Sequence, residues 1–570
     1  MAPRNSELAD QLDLLADLSE ILGEDGFRIR AYRQAATRIR ETATSVAELA
    51  LQGKAKELPG IGRTIEEKIV EISETGRLAA LVRRQEEVPG EVAAFMRLPG
   101  LGPKTAARIW RELGVTTLAG LEEAAREERL RGLAGLGAKT EEKVLAALAG
   151  GAAAEPRARR GLLGVGLPVV REVVEALRSH PAAQDVSEAG SARRRRETFR
   201  DLDVIATATD PAALTAHFCS LPWVLEVAAH GDTKATVVTQ QGFRLDLRVV
   251  PPEAYGNLLQ HFTGSKAHNI ALREDAVRRG FSVSEYGVTV VETGEVHAFR
   301  TEEELYAFLG YAYVPPELRE NGGELEAARE GRLPALVEPD DLRGELHCHS
   351  TWSADGRSTI EEMAAAAAAR GYEYLCVTDH SHYLRDGRLE LQWAEIEAVN
   401  ARARPFRVLR GIEANIKADG TLDVRDELLA QLDWVVASLH TSFDRSPTER
   451  ILATIDNPHV DCIGHLTGRR LSSPQRAAGA DVDVERVVER AAATGTALEI
   501  NAQPDRLDLR DVHARLAGEA GVRVPVDTDA HSTAALAYAE LGVAQARRAW
   551  LTREQVLNTR SWPEIERLRG

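Results

Sequence analysis

Two groups of residues in this 570-residue sequence have the types and spacing for metal-assisted phosphorus chemistry. In RDLDVIA, Asp201 and Asp203 stand two apart in a strand-like run, which puts both carboxylates on one face while Leu202 and Val204 take the other. Asp246 is flanked in the same way by Leu245 and Leu247 in FRLDLRVV. Three carboxylates on two strands can hold a pair of Mg²⁺ ions, the hard-oxygen arrangement that in-line phosphoryl transfer needs. Upstream, Gly190 and Ser191 open a turn followed by Arg193 to Arg196, offering backbone and hydroxyl donors and guanidinium forks to a triphosphate. The second group is rich in histidine: His347 and His349 in ELHCHS, Asp355 in WSADG, Asp379 and His380 in VTDH, Glu413 in GIEANI, His440 in SLH, His465 in IGHL, and Asp529 with His531 in DTDAH. Almost all of them end apolar, strand-like runs, and the His-x-His alternation points both imidazoles to one side. Imidazole mixed with carboxylate suits Mn²⁺, Zn²⁺ or Fe²⁺ better than Mg²⁺. Cys348, between the two histidines, should face the core, and His382 should lie beside the ligands. Arg469 reads as a solvated arginine, with a phosphate clamp as the alternative.

The elements that must carry these groups fall into distinct stretches. Residues 7 to 150 read as helices, with Leu12, Leu15, Leu18 and Leu22 at helical spacing. A repeat runs through them: LPGIGRTIEEKI (58–69), LPGLGPKTAARI (98–109) and LAGLGAKTEEKV (133–144) share a leucine, a Gly-apolar-Gly hairpin and an amphipathic helix. This is helix-hairpin-helix chemistry, in which Gly60, Gly62, Gly100, Gly102, Gly135 and Gly137 let backbone N–H groups approach a DNA phosphate. GGAAAEPRARRG (150–161) has a connector's composition, and an α+β pattern follows to about Tyr313. Residues 317–340, acidic and punctuated by Gly and Pro, read as a longer linker. From 344 onward, strand-like runs alternate with helices, the rhythm of a parallel α/β barrel or sheet with ligands at strand C-terminal ends.

Composition bounds the function class. Hydrophobic residues at 44% and charged residues at 28% fit a globular protein of three or four domains. The four cysteines form no CxxC pair, and neither a signal peptide nor an uninterrupted membrane-length apolar run is evident, so a soluble cytoplasmic protein is expected. The net charge of −17 excludes a uniformly basic nucleic-acid binder. Nearly half of that excess, −8, lies in residues 341–570, while FRIRAYRQAATRIR (27–40) and ARRRRETFR (192–200) are locally basic.

GSARRRRETFRDLDVI resembles the nucleotidyltransferase signature of the family X DNA polymerases, the DNA polymerase beta relatives. The resemblance places Asp201, Asp203 and Asp246 on the family's metal-binding aspartates, and Gly190, Ser191 and Arg194 at its phosphate-binding turn. HFTGSKAHNIALR (261–273) is similar to the family's nucleotide pocket, which implies Phe262 and Gly264 against the sugar, Asn269 at the incoming base and Arg273 at the template. FRIRAYRQAA and the first hairpin resemble its small lyase-type domain, implying a 5′-phosphate pocket at Arg28 and Tyr32 and a Schiff-base lysine at Lys68. Arg200 stands where the family has a glycine, His261 where it has a tyrosine, and Thr64 where the lyase domain often carries a second phosphate-binding lysine.

The order HxH, D, TDH, GxE, SxH, GH, DxH resembles the PHP (polymerase and histidinol phosphatase) phosphoesterases, which implies a distorted β/α barrel with three ions. One ion would take His347, His349, Glu413 and Asp529, a second would share Glu413 with His440 and His465, and a third would take Asp355, His380 and His531. The joint order resembles the bacterial family X polymerases. It implies an all-α lyase-like domain (1–90), a helical fingers-like region (91–150), an α+β palm (151–250) and thumb (251–316), a linker (317–340) and a PHP barrel (341–570). The expected function is template-directed filling of short gaps with dNTPs, using two Mg²⁺ or Mn²⁺, beside a metal-dependent 3′-5′ exonuclease with abasic-site endonuclease or 3′-end cleaning as further activities. Expected partners are gapped or 3′-recessed duplex DNA, the chain being monomeric and associated with the nucleoid through DNA. The alternative is a PHP phosphatase or nuclease whose polymerase core, weakened at Arg200, only binds DNA.

Overall fold

The computed structural model describes residues 3–42, 45–58, 60–89, 91–96, 98, 101–133, 136–149, 160–473 and 476–569. They form two compact units, each described by itself: Met1–Gly161 with Val165–Ala192 and Thr198–Leu258, and Leu162–Gly164 with Arg193–Glu197 and Leu259–Gly570. Among the described residues no helix is long and apolar enough to cross a membrane.

The first unit begins with helices Asn5–Leu22 and Gly26–Glu41, whose leucine stripe (Leu8, Leu12, Leu15, Leu18) is fully or almost fully buried. The hairpin repeat is visible in the backbone. Ile61, Leu101 and Leu136 each donate their N–H to the carbonyl three residues back, on Leu58, Leu98 and Leu133, at 3.0–3.2 Å. Helices Arg63–Thr75, Pro103–Leu113 and Ala138–Ala149 then start directly after Gly62, Gly102 and Gly137. The caps Gly62 and Gly102 have nearly the same conformation (φ −86°, ψ 173° and φ −87°, ψ 176°). Glu66 and Glu141, in register across the repeat, accept the N–H of Lys56 and Arg131 and so tie each helix to the turn before it. Gly100, Gly135 and most of the 150–161 connector lie outside the described residues.

The same unit holds a five-stranded sheet built from Ala183–Ala189 (β1), Asp201–Ala208 (β2), Val224–His230 (β3), Lys234–Thr239 (β4) and Arg244–Val250 (β5), in the order β1-β2-β5-β4-β3. β2 and β5 run parallel with Asp203 opposite Asp246, while Thr236 of β4 faces Asp246 on its other side. Leu202, Val204, Leu245 and Leu247 are fully buried, so burying one set of side chains fixes which way the aspartates face.

In the second unit, helix Lys266–Arg278 and the hairpin Phe281–Ser284 (β6) and Gly287–Val290 (β7) pack around Leu272, Val288, Leu305 and Tyr306. The stretch 317–340 departs from the linker expectation. Leu318, Leu325 and Ala328 belong to that core, and Glu324–Arg329 is helical. The apolar residues that anchor it are few and dispersed among acidic ones, which gave the segment a connector's composition. Arg319 is completely buried: its guanidinium pairs with Glu302, donates to the Val314 carbonyl at 2.9 Å and stacks on Tyr306 and Tyr313. Glu302 is also held by Arg193 at 2.6 Å, so Arg193 is a partly buried structural partner and not a free phosphate fork.

Eight strands follow: Gly344–Cys348 (β8), Tyr374–Val377 (β9), Arg407–Asn415 (β10), Trp434–Ser438 (β11), Cys462–Gly464 (β12), Ala497–Leu498 (β13), Ile500–Asn501 (β14) and Val526–Asp527 (β15). β8 to β13 pair in chain order, all parallel, and β14 pairs with β15. A parallel bridge between Cys348 and Ala530, with the Leu346 N–H donating to Asp527 Oδ1 at 2.9 Å, brings β15 back to β8 and closes the ring. The strands are buried on both faces, which is why they read as continuous apolar runs. This is a distorted β/α barrel.

Burial alone would raise the Glu302 carboxyl, but Arg319 and Arg193 hold it down at about 2. Glu302→Gln leaves one buried and one partly buried guanidinium uncompensated and should cost about 3–5 kcal/mol. Because the folded value lies below the ordinary one, the gap between wild type and variant should be full above about pH 4.5 and shrink as the pH falls toward 2, followed by thermal unfolding at successive pH values.

Candidate active sites

In the sheet of the first unit, Asp201, Asp203 and Asp246 come from adjacent parallel strands. Thr236 Oγ1 donates to Asp246 Oδ1, Arg244 Nε lies 3.7 Å from Asp246 Oδ2, and Arg200 Nε lies 3.4 Å from Asp201 Oδ2. Gly190 has a positive φ of 64°, and a Cβ there would fall 2.3 Å from Asp203 Oδ2. The turn can pass so close to a carboxylate only as glycine. Ser191 follows it on the short helix Gly190–Arg193.

Arg194 and the 261–273 segment belong to the other unit. Arg194 is tied to Glu320 at 2.9 Å and to the Thr263 carbonyl at 2.7 Å. Asn269 accepts from Gln260, donates to the carbonyls of His261 and Gly264, and leaves no room for a Cβ at Gly264. Phe262 packs edge-tilted on His261, whose Nδ1 receives Arg273 Nη2 at 2.9 Å. In the helical region, Lys68 Nζ sits 5.8 Å from the Tyr32 ring centre and Arg28 is exposed. A cation–π pair on a half-exposed surface is a further role for Lys68, beside the solvated helix position that its spacing suggests.

The barrel gathers its ligand types around one carboxylate. Glu413, completely enclosed, has His465 Nε2 at 2.9 Å, His440 Nε2 at 3.2 Å, His380 Nδ1 at 2.6 Å, and the Nε2 atoms of His347 and His349 at 3.6 Å. Asp529 stands 3.1 Å from His349 Nε2 and 3.9 Å from His347 Nε2. Asp355 faces His380 and His531 at 3.5 and 3.4 Å. Three clusters tight enough for one ion emerge: His347, His349 and Asp529; His380, Glu413 and His440; and His349, His380 and His531. They overlap, sharing His349 and His380, where the expected division gave each histidine to one ion. His465 and Asp529 hold positive φ angles (27° and 49°), strained backbone at the strand ends that present these side chains.

Burial would raise Glu413 and Asp529, yet the imidazoles around them keep both well below the ordinary carboxylate range. His349 is pushed down to about 3 by burial and by the neighbouring His531 and His380, which leaves it a neutral ligand. His347 Nε2 and both ring nitrogens of His349 are buried with no hydrogen-bond partner. Buried nitrogens of this kind, facing ionised carboxylates, fit divalent ions.

The residues that aim these ligands were not foreseen. Glu499, fully buried in the one-residue break between β13 and β14, accepts His347 Nδ1–H at 2.6 Å and the His465 N–H at 2.6 Å. Asn415 Oδ1 accepts His440 Nδ1–H at 2.7 Å and is itself anchored to Asp423 and Ser381. His531 Nδ1 donates to the Asp529 carbonyl at 2.8 Å. Each bond occupies Nδ1 and turns Nε2 toward the cluster. The available signal was a lone acid inside the apolar run ALEINA. Asp379 turns away from the cluster, taking up Ser350 and Gln392. His382 is exposed and lies beside the ligands as expected, stacked on the His380 ring at 5.5 Å and tilted against Tyr383, while Cys348 is buried in the core and Arg469 is buried against Glu197.

The chain is 41% identical over 566 residues to the DNA polymerase/3′-5′ exonuclease PolX of Bacillus subtilis, covering 97% of both chains. It belongs to the PolX family. Family models match the chain at a helix-hairpin-helix domain (residues 3–78), a SAM-like helix-hairpin-helix tandem (92–149), the DNA polymerase beta thumb (258–320) and a PHP domain (345–503). Its barrel is also similar to probable phosphatases, at 32% identity in Caldanaerobacter subterraneus (33% of this chain, 75% of that one) and 29% in Thermoanaerobacter (38% and 89%). It is thus a polymerase-family chain that uses divalent metal ions.

Glu499→Gln should weaken metal retention by about 10- to 100-fold, through the loss of a carboxylate that orients His347. Metal content by mass spectrometry after graded chelator dialysis measures it.

Proposed function

We propose that this chain adds deoxynucleotides to DNA 3′ ends at the Asp201, Asp203 and Asp246 site and removes nucleotides 3′ to 5′ at the barrel. The observation that carries this reading is the pair of chemically distinct constellations, one of aspartates on parallel strands and one of imidazoles around a buried glutamate. Similarity to a DNA polymerase/3′-5′ exonuclease along the whole chain supports it. At the first site, the three aspartates would hold two Mg²⁺ or Mn²⁺ ions, with Gly190, Ser191 and Arg194 receiving the triphosphate and Phe262, Gly264, Asn269 and Arg273 selecting the nucleotide. At the barrel, the nine ligands His347, His349, Asp355, His380, Glu413, His440, His465, Asp529 and His531 would hold three ions of Mn²⁺, Zn²⁺ or Fe²⁺. Divalent ions at such sites offset charge on attacking and leaving oxygens. In exonucleolysis, water adds its oxygen to the terminal phosphorus, the bond to the preceding 3′ oxygen breaks, and that oxygen takes up a proton. The hairpins at Gly60, Gly62, Gly100, Gly102, Gly135 and Gly137 would bind DNA phosphates, with Arg28 and Tyr32 at a 5′ phosphate and Lys68 as the lyase amine.

The domain limits follow the same reading, with the polymerase parts up to about residue 316 and the phosphoesterase from 341. The preferred substrate is a short gap, the chain acts as a monomer, and abasic-site or 3′-end cleaning shares the barrel. The test is a gapped, 5′-labelled duplex with dNTPs and Mg²⁺ or Mn²⁺, resolved on a sequencing gel. Asp203→Ala should abolish extension by at least a hundredfold while shortening continues. His349→Ala should do the reverse. Shortening without any extension in either metal would leave a nuclease with a DNA-binding core.

A further inference from the structure

Beside the metal-ligating cluster, two loops of the barrel bring arginines together, and neither the ligand set nor the fold uses their charge. Arg506 lies on the loop after β14, is 8% exposed, and has its Nε buried with no hydrogen-bond partner. Its nearest anion is the Asp529 carboxylate, at 3.8 Å and beyond hydrogen-bonding distance. The loop after β12 carries Arg470 and Arg476. It is stitched to the Arg506 loop by the Leu471 N–H on the Asp505 carbonyl (2.7 Å) and the Ser472 N–H on Asp505 Oδ1 (2.6 Å). Arg470 Nη1 lies 3.7 Å from Asp505, and Arg476 donates to the Gly468 carbonyl while lying 4.6 Å over the Phe443 ring. Burial, and then the like charge of Arg506, bring Arg470 down to about 10, and Arg476 is lowered by the same two causes. Among the described residues, three guanidiniums therefore crowd one side of the site with Asp505 at the surface and the candidate ligand Asp529 beneath as their carboxylates within 4 Å. Guanidiniums this poorly paired are costly unless an anion joins them.

Resting on the exonuclease reading above, we propose that this arginine group is a two-phosphate cradle for a nucleic-acid strand: Arg506 grips the phosphate whose ester is cut, and Arg470 with Arg476 hold the next phosphate along the strand. Arg506 is the member beside the candidate ligand Asp529, buried where an anion bound at the cluster would lie next to it. Arg470 is about one-third exposed and Arg476 is exposed, as suits contacts to a phosphate outside the reacting centre. A planar guanidinium matches two phosphate oxygens at once, whereas a lysine offers a point charge. The site thereby selects a polynucleotide over a lone phosphate ester, which distinguishes this barrel's substrate from that of a small-molecule phosphatase.

The test uses the full chain with two substrates, a labelled oligonucleotide and thymidine 5′-(4-nitrophenyl phosphate), which carries one phosphodiester. Arg470→Gln/Arg476→Gln should lower the ratio of kcat/KM on the oligonucleotide to that on the ester at least tenfold. In chelator, by calorimetry, the same variant should lose most of the advantage of pdTpdT over dTMP in binding. Arg506→Gln should lower kcat on both substrates more than tenfold with metal content kept, and Arg506→Lys should recover part of the loss and serves alone if the glutamine variant does not fold. Equal losses on both substrates in the double variant, or an undiminished pdTpdT advantage, overturn the second phosphate subsite. Full activity or loss of metal in the Arg506 variants overturns the clamp. An unmutated chain that hydrolyses a small monoester but no DNA end would sink the exonuclease reading instead, so the two failures are told apart.

Discussion

A carboxylate with no access to water, ringed by imidazoles, is the constraint on which the barrel is organised. Glu413 would be expelled from an apolar interior or neutralised by a proton were it not for the histidines delivered to it from four other strand ends. The carboxylates they face shift His347, His380 and His531 toward the charged imidazolium, so protons hold the charge balance that divalent ions would take over, and the unpartnered nitrogens of His347 and His349 face the place where such ions would sit. Everything behind this cluster serves orientation. Glu499 and Asn415 and the Asp529 carbonyl each take a Nδ1 proton, so that the Nε2 atoms turn inward. The strained backbone at His465 and Asp529 has the same origin: the strands must end at heights that let a histidine and an aspartate reach one centre.

What was legible in the sequence follows from how locally each feature is encoded. The hairpin repeat is local, a turn and a helix cap within six residues, and it appears in the backbone wherever those residues are described. The strand alternation around Asp201, Asp203 and Asp246 is local as well, because a period of two decides the face. The barrel ligands could be collected because chemistry demands unusual residue types at strand ends. How the ions divide among them could not, since His349 and His380 each stand in two clusters and only the closed ring sets those distances. The supporting layer was hidden for a related reason. Glu499 is separated from His347 by 152 residues, and a single acid in an apolar strand carries no sign of its partner. The stretch 317–340 misled because Leu318, Leu325 and Ala328 are too few to show a helical period, and Arg319 and Glu324 look solvated until Glu302 and His268 are seen beside them.

The two candidate sites differ in a way that bears on how each would be used. In the five-stranded sheet the carboxylates are partly open, Asp201 being about one-third exposed, and the three candidate ligands are all oxygen donors, which favour hard ions over borderline ones. Such a set holds hard ions loosely, and an ion that also binds phosphate oxygens would be retained best when a nucleotide arrives with it. The barrel cluster is buried and nitrogen-rich, so its ions would stay bound between turnovers and be present before any strand end enters. If the first site assembles with its nucleotide and the second stays loaded, the two would differ in their dependence on nucleotide supply: extension would respond to dNTP concentration through the metal as well as the substrate, while trimming would respond only to access of the DNA end. The partition between extending and trimming a given end would then follow ligand concentration, without a conformational switch having to be invoked.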